Sequence, residues 1–407
     1  MLLEFWQNFT HNLFKPLLLF FYLGFLIPIL KVQFEFPYVI YQGVTMYLLL
    51  AIGWHGGEEL ATIHVSSLGQ ILGFVILGFL LNFLIGFLAY VLLTRTTKMR
   101  RIDRATVAGY YGSDSAGTFA TCIGVLTTVG IAFNGFMSVM LAVMEMPGCL
   151  VALYLAARLR HKGMDALGNM PGEPGYQPVA NVGPGAAGRP ASGQRLDDEN
   201  ALAIERETEI ALELRMHAGD SVDGDDAKSG AGTVALLREV LLNPGLYLLF
   251  GGIVIGLISR LQGLKVVHDN DKVFVTAFQG VLCLFLLEMG MTAARRLKDL
   301  KSAGPGFIAF GLLAPNVFAT LGILISHAYA HLTHAQFAPG TYILFAVLCG
   351  AASYIAVPAV QRLAIPEASP TLPLAASLGL TFSYNVTIGI PVYIEISRAV
   401  TPWFPVT

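Results

Sequence analysis

Residues 49–60 (Leu-Leu-Ala-Ile-Gly-Trp-His-Gly-Gly-Glu-Glu-Leu) and residues 286–297 (Leu-Leu-Glu-Met-Gly-Met-Thr-Ala-Ala-Arg-Arg-Leu) are two copies of one pattern. Each runs apolar residues into a glycine, Gly53 or Gly290, then into small residues, a pair of like charges and a leucine. The pair changes sign between the copies, from Glu58-Glu59 to Arg295-Arg296. A chain whose second half crosses a bilayer in the opposite sense needs that inversion, because the charged ends then face opposite compartments.

Composition agrees with a membrane setting. The chain is 55% hydrophobic and only 13% charged, and 20 of its 52 charged residues fall between Arg160 and Lys228. The uncharged stretches on either side are each long enough to cross a bilayer, about 20 residues. Ten spans are expected, at roughly 16–33, 38–57, 68–93, 103–130 and 134–158, then 242–260, 273–292, 304–328, 341–364 and 373–398. The expected fold is therefore an all-α integral membrane protein of ten transmembrane helices in two inverted five-helix repeats, 1–158 and 233–407, around an insert at 159–232. Pro16 and Gly24 match Pro244 and Gly252, and Gly112 and Ser115 match Gly350 and Ser353, at equivalent places in the two halves.

Lys and Arg in the short loops set the orientation. They concentrate on one side, around Arg95–Arg104, Arg158–Lys162 and Arg295–Lys301. That side is expected to be cytoplasmic, which puts both termini outside and the insert inside. Glu4 near the start, with no basic segment before it, argues against a removable signal peptide. Within the insert, Gly168 to Gly193 reads as a flexible Gly/Pro-rich linker. Leu196 to Met216 reads as an acidic amphipathic helix, either solvated or docked on this protein or a partner.

Several functions find no support. No basic run suggests nucleic acid, and no Ser/His/Asp order, phosphate loop or HExxH motif suggests an enzyme. Cys122, Cys149, Cys283 and Cys349 lie in apolar runs and read as buried free thiols. His327, His331 and His334 share a helical face at a span end and read as interfacial histidines rather than metal ligands.

The polar interruptions are more informative. Gly112-Ser113-Asp114-Ser115-Ala116-Gly117-Thr118 breaks the fourth span at mid-depth, and Gly350 to Pro358, with Ala352, Ser353 and Tyr354, breaks the ninth. Non-helical backbone at that depth is tolerated only inside protein or beside a watery cavity. Paired broken helices point to a transport site, where half-helix N-termini suit a small anion. The alternative is that these small residues only let helices pack closely. Asp114 and Glu145 are carboxylates at depth and functional candidates by default, suited to Na⁺ or to a transported proton. Asp114 has a second reading as the cap of the next half-helix. Glu288 reads as the partner of Arg295 in an interfacial ion pair, and Thr381 and Asn385 in the polar tenth span as further cation ligands.

These residues resemble the sodium-dependent bicarbonate transporters first associated with cyanobacteria. The resemblance covers nearly the whole chain outside the insert. It is carried by Gly112–Thr118, Met144-Glu145-Met146-Pro147, Glu288-Met289-Gly290-Met291 and Ala352–Pro358 with Ala364-Ile365-Pro366. It implies a gate domain and a core domain, bicarbonate bound where the two broken helices cross, Na⁺ nearby, a homotrimer, and a PII-like regulatory protein on the cytoplasmic face. Two departures stand out. The first break gains Asp114, and Tyr354 stands where cyanobacterial members carry an aspartate in the second. Asp114 would then replace that carboxylate from across the pseudo-twofold axis. Glu145 stands where the family has aspartate. The expected function is Na⁺-coupled import of bicarbonate or a similar small anion. H⁺-coupled transport of another small carboxylate or anion, and a membrane sensor or scaffold signalling through the insert, stay open.

Overall fold

The computed structural model describes residues 14–177, 244–297, 300, 304–354 and 356–405, and every regular element among them is helical. In the first half α1 is Pro16–Ile29, α2 Tyr38–Leu60, α3 Val65–Thr96, α4 Arg101–Tyr111, α5 Ala116–Val129, α6 Met137–Met144 and α7 Met146–His161. In the second half α8 is Pro244–Gln262, α9 Leu264–Asp271, α10 Phe278–Arg296, α11 Pro305–Thr333, α12 Pro339–Gly350, α13 Ala356–Ala364 and α14 Ile390–Val400. Proline opens α1, α11 and α12, where its missing N–H leaves no intrahelical bond unmade.

Among the described residues, five stretches are long and apolar enough to cross a membrane: Ser66–Thr96, Met137–His161, Pro244–Gln262, Leu264–Arg296 and Pro305–Thr333. The other expected spans fall short for local reasons. Helix α1 has 14 residues, and α2 ends in Glu58-Glu59. The expected fourth and ninth spans are each divided, into α4 and α5 and into α12 and α13. The expected tenth is wound partly as π-helix, over Ala375–Phe382 and Asn385–Gly389.

Two helix pairs, α1 with α10 and α2 with α8, pack backbone to backbone. A Cβ on Gly53 would lie 2.4 Å from the Leu249 carbonyl oxygen, and one on Gly290 2.2 Å from that of Phe21. Both are closer than any carbon can approach. The glycines of the repeated pattern are thus packing residues: Gly53 meets Gly252, and Gly290 meets the turn of Gly24. Without a hydrophobic drive between helices in lipid, such close approach is what lets dispersion hold a pair together.

Three expectations change. The linker expected from Gly168 begins as ordered structure. Residues 163–177 fold into a hook around Asp165, whose carboxylate accepts from the N–H groups of Leu167 (3.0 Å), Asn169 (2.7 Å) and Gln177 (2.8 Å). Gly163, Gly168, Gly172 and Gly175 all have positive φ, so these glycines make turns rather than slack. The remainder of that stretch and the acidic helix expected at 196–216 lie outside the described residues. Glu288 makes no direct salt-bridge contact with Arg295 among the described residues and interacts with it through charge at longer range. One of its oxygens accepts from Thr292 Oγ1 at 3.1 Å and the other is buried without a partner. His327 is buried rather than interfacial, bonded to Ile323 O (2.9 Å) and Thr401 Oγ1 (3.1 Å) and stacked on Tyr342.

Burial alone would raise the Asp165 carboxyl, but donation from Gln177, Asn169 and Leu167 outweighs it and holds the group below the usual carboxylate value. A depressed folded pKa contributes stability that is complete above the ordinary value and lost as pH falls through the lowered one. The hook is therefore expected to resist proteolysis from pH 7 down to about pH 5, and Asp165→Asn to expose it at pH 7. Packing gives a second expectation. Gly53→Leu should destabilise the detergent-solubilised protein by about 1–3 kcal/mol or more, read as a fall in Tm. Gly43→Ala, whose Cβ meets nothing within 4 Å, should not.

Candidate functional site

Helix α4 ends at Gly112, which presses against α3 and α7: its Cβ would lie 3.0 Å from Gly86 and 3.1 Å from Gly148. The chain then runs extended into Ser115, the N-cap of α5. Ser115 Oγ accepts from the Thr118 N–H (3.3 Å) and from Thr118 Oγ1 (2.9 Å), leaving its own proton free to donate. Capping is thus done by Ser115 and not by Asp114, whose two carboxyl oxygens are buried with no hydrogen-bond partner.

The second break crosses the first. Extended backbone after Gly350 brings the Ser353 N–H to the Tyr110 carbonyl at 2.8 Å, one of the last carbonyls of α4. Ser353 Oγ donates to Glu145 Oε1 at 2.7 Å. Glu145 stands at the kink between α6 and α7, where the helical ladder is interrupted. The carbonyls freed there are taken up from neighbouring strands of the chain. Ser113 Oγ donates to Glu145 O, and Asn82 Nδ2 to Met144 O at 3.1 Å.

A cavity of about 30 Å³ lies at this crossing, lined by Asp114, Ser115, Ala116, Glu145, Ser353 and Tyr354 on one side and by Leu49, Leu141, Leu246 and Leu249 on the other. Its size suits a water or a small ion. The Asp114 carboxyl sits beside that of Glu145, and no cationic side chain is in the lining. Two carboxylates in a dry site repel strongly unless a cation or a shared proton stands between them. The hard oxygens of Asp114, Glu145 and Ser353 fit Na⁺, and the orphaned Asp114 oxygens are what such an ion would satisfy. Among the described residues, no group of three His, Cys, Asp or Glu could hold a metal.

Tyr354 covers the crossing. Its hydroxyl reaches Ser115 and Gly117, and a Cβ added to Gly117 would lie 2.0 Å from it. Its ring meets Phe382 edge-on at 6.0 Å. Ala352 is buried beside it.

The structure therefore gathers Asp114, Ser115, Ala116, Glu145, Ser353 and Tyr354 at one cavity, with Gly117 and Thr118 directly behind them. Thr381 and Asn385 lie outside the lining, and their polar atoms are engaged elsewhere. Thr381 Oγ1 bonds to Tyr111 Oη (2.6 Å) and Gly311 O (3.0 Å). Asn385 donates to Gly350 O (2.9 Å) and accepts from Tyr393 (2.7 Å). Two contributors went unnoticed in the sequence. Asn82 is the one amide side chain in the apolar run 71–93, a signal that was available. The leucine wall carries no signal at all, being three of many leucines in membrane helices plus Leu141.

These roles separate by stability. Ser115→Ala should cost about 1 kcal/mol through the lost cap, whereas Asp114→Asn should not lower the Tm, since it removes an unpartnered buried charge. Thermal unfolding in detergent tests both.

No curated protein sequence matches the chain. A family model described as the Na⁺-dependent bicarbonate transporter superfamily matches residues 16–398, nearly its whole length, and the chain belongs to that superfamily.

Proposed function

We propose that this member of the Na⁺-dependent bicarbonate transporter superfamily imports bicarbonate, or a closely similar small anion, by Na⁺ symport through alternating access. The observation that carries this reading is the crossing of two backbone breaks around a cavity with two adjacent carboxyls and no cationic side chain. Asp114 and Glu145 hold Na⁺, and Ser353 aims the Glu145 carboxylate by donating to it. Ser115, whose proton is free, and the first N–H groups of α5, at Ala116 and Gly117, take the anion. The cation and anion neutralise each other at the crossing, so neither is stable there alone. Thr381 and Asn385 support the site from behind, through Tyr111 and the last carbonyl of α12.

The ten-span inverted repeat is part of this reading. It is supported by the reciprocal pairing of α1 with α10 and α2 with α8, in which sequence-equivalent glycines make equivalent contacts. Those four helices form the gate, and the broken helices belong to the core that moves past it. The protein sits in the plasma membrane as a homotrimer with both termini outside and 159–232 inside, where a PII-like protein binds. It performs no covalent chemistry.

In proteoliposomes, labelled bicarbonate is expected to accumulate with an inward Na⁺ gradient. Asp114→Asn should lower that uptake at least about tenfold at fixed Na⁺, the loss of one charge-assisted ligand. Wild-type uptake driven by pH and indifferent to Na⁺ would replace Na⁺ with a proton on the carboxyl pair. No flux under any gradient would favour a sensor.

A further inference from the structure

The first turn of α4, the turn after α13 and the 163–177 hook meet in a lattice of charged hydrogen bonds. Arg100, at the N-cap of α4, forks onto Asp103 through Nε (2.8 Å) and Nη2 (3.0 Å). The same guanidinium donates to Leu167 O in the hook (2.8 Å) and to Glu367 O beyond α13 (3.3 Å). Asp103 in turn accepts from the Ser369 N–H at 2.8 Å. Arg160, on the last turn of α7, forks onto Glu367 through Nε (2.9 Å) and Nη2 (2.8 Å), and also donates to Ala364 O, the final residue of α13 (2.7 Å). From the hook, Glu173 accepts from the Arg101 N–H at 2.9 Å, placing a carboxylate on the N-terminus of α4.

Farther along α4 the same two segments are joined again. Tyr110 Oη donates to Gln361 Oε1 (3.0 Å), and Gln361 Nε2 to Ser369 O (3.0 Å). At the end of α4, Tyr110 O receives the Ser353 N–H, already inside the site. One broken helix is therefore bonded to the other from its charged end to the cavity. Across the cavity, by contrast, the lining from α2 and α8 includes the apolar side chains of Leu49, Leu246 and Leu249. Helices α2 and α10 bond to the core through fewer, scattered contacts such as Ser138 Oγ to Ile52 O (2.9 Å) and Gln279 Nε2 to Gly124 O (3.0 Å).

We propose that Arg100, Asp103, Arg160 and Glu367 form a clamp that fastens the two broken helices into a single body, so that Asp114 and Ser353 keep their spacing as the site moves. They are positioning residues, acting on a site they do not touch. Bidentate Arg–carboxylate pairs suit that task because they fix orientation as well as distance. The stretch first read as slack linker is the third member of the clamp. This inference rests on the transport reading for its purpose, though not for its geometry.

The test has two arms. In the first, amide exchange is followed by mass spectrometry in the intact detergent-solubilised protein carrying Arg160→Gln with Glu367→Gln. Exchange should rise about tenfold in peptides covering both breaks, 110–118 and 350–354, while α8 is unchanged. Unchanged exchange at the breaks, or a uniform rise that includes α8, overturns the clamp. In the second, Arg160→Cys and Glu367→Cys are bridged by a short bis-maleimide and bicarbonate uptake is measured. A bridged protein that retains at least about half of wild-type uptake supports a clamp that stays closed through the cycle. Uptake abolished by bridging, with the unbridged pair active, overturns it. If the wild type moves no bicarbonate, the transport reading fails, and the exchange arm still decides the clamp.

Discussion

Backbone polar groups inside a membrane protein must find partners within the chain, because lipid offers none. Most of the molecule meets that demand with helices. At residues 112–115 and 351–354 it does not, and the polar groups at and around these breaks find partners in neighbouring segments. The Ser353 N–H goes to Tyr110 O, Asn385 to Gly350 O, Asn82 to Met144 O, and Ser113 to Glu145 O. One of these bonds, from the Ser353 N–H to Tyr110 O, joins the two broken helices directly where they cross, and the cavity lies at that crossing.

The charges inside the cavity follow a different logic. Ser353 engages one oxygen of Glu145, and the fully buried Asp114 has the Glu145 carboxyl beside it. A buried carboxylate costs stability unless something compensates it, and this one lies where two half-helices meet. Tyr354 lines the same cavity, its hydroxyl held beside Ser115 where Gly117 leaves room. Elsewhere, charge does the opposite work. The Arg160 fork onto Glu367 binds segments far apart in sequence, and Arg100, forked onto Asp103 of its own helix, reaches Leu167 and Glu367 with its remaining bonds.

Some of this was legible from residues alone. The two breaks stood out because Gly, Ser and Asp interrupt apolar runs at equivalent places, and Asp114 and Glu145 because carboxylates are rare in such surroundings. Spacing could not show that Ser115, one residue on, takes the capping role and leaves Asp114 orphaned. Nor could it separate Thr381 and Asn385 from the residues that line the cavity, since a hydroxyl open to a cavity and one that bonds to Tyr111 look alike in one dimension. The hook at 163–177 was misread because glycine serves both slack chain and tight turns, and only the positive φ angles and the donors around Asp165 distinguish them.

The sequence by itself determined that the chain is a membrane protein with a sign-inverted internal repeat, since apolar run length and charge placement are properties of composition along a line. It also marked where the helices break. Tertiary structure decided which polar atoms at those breaks are used up in holding the fold and which remain free. That distinction depends on donors brought from distant segments, Tyr110 to Ser353 and Asn82 to Met144 among them, and no local pattern records them.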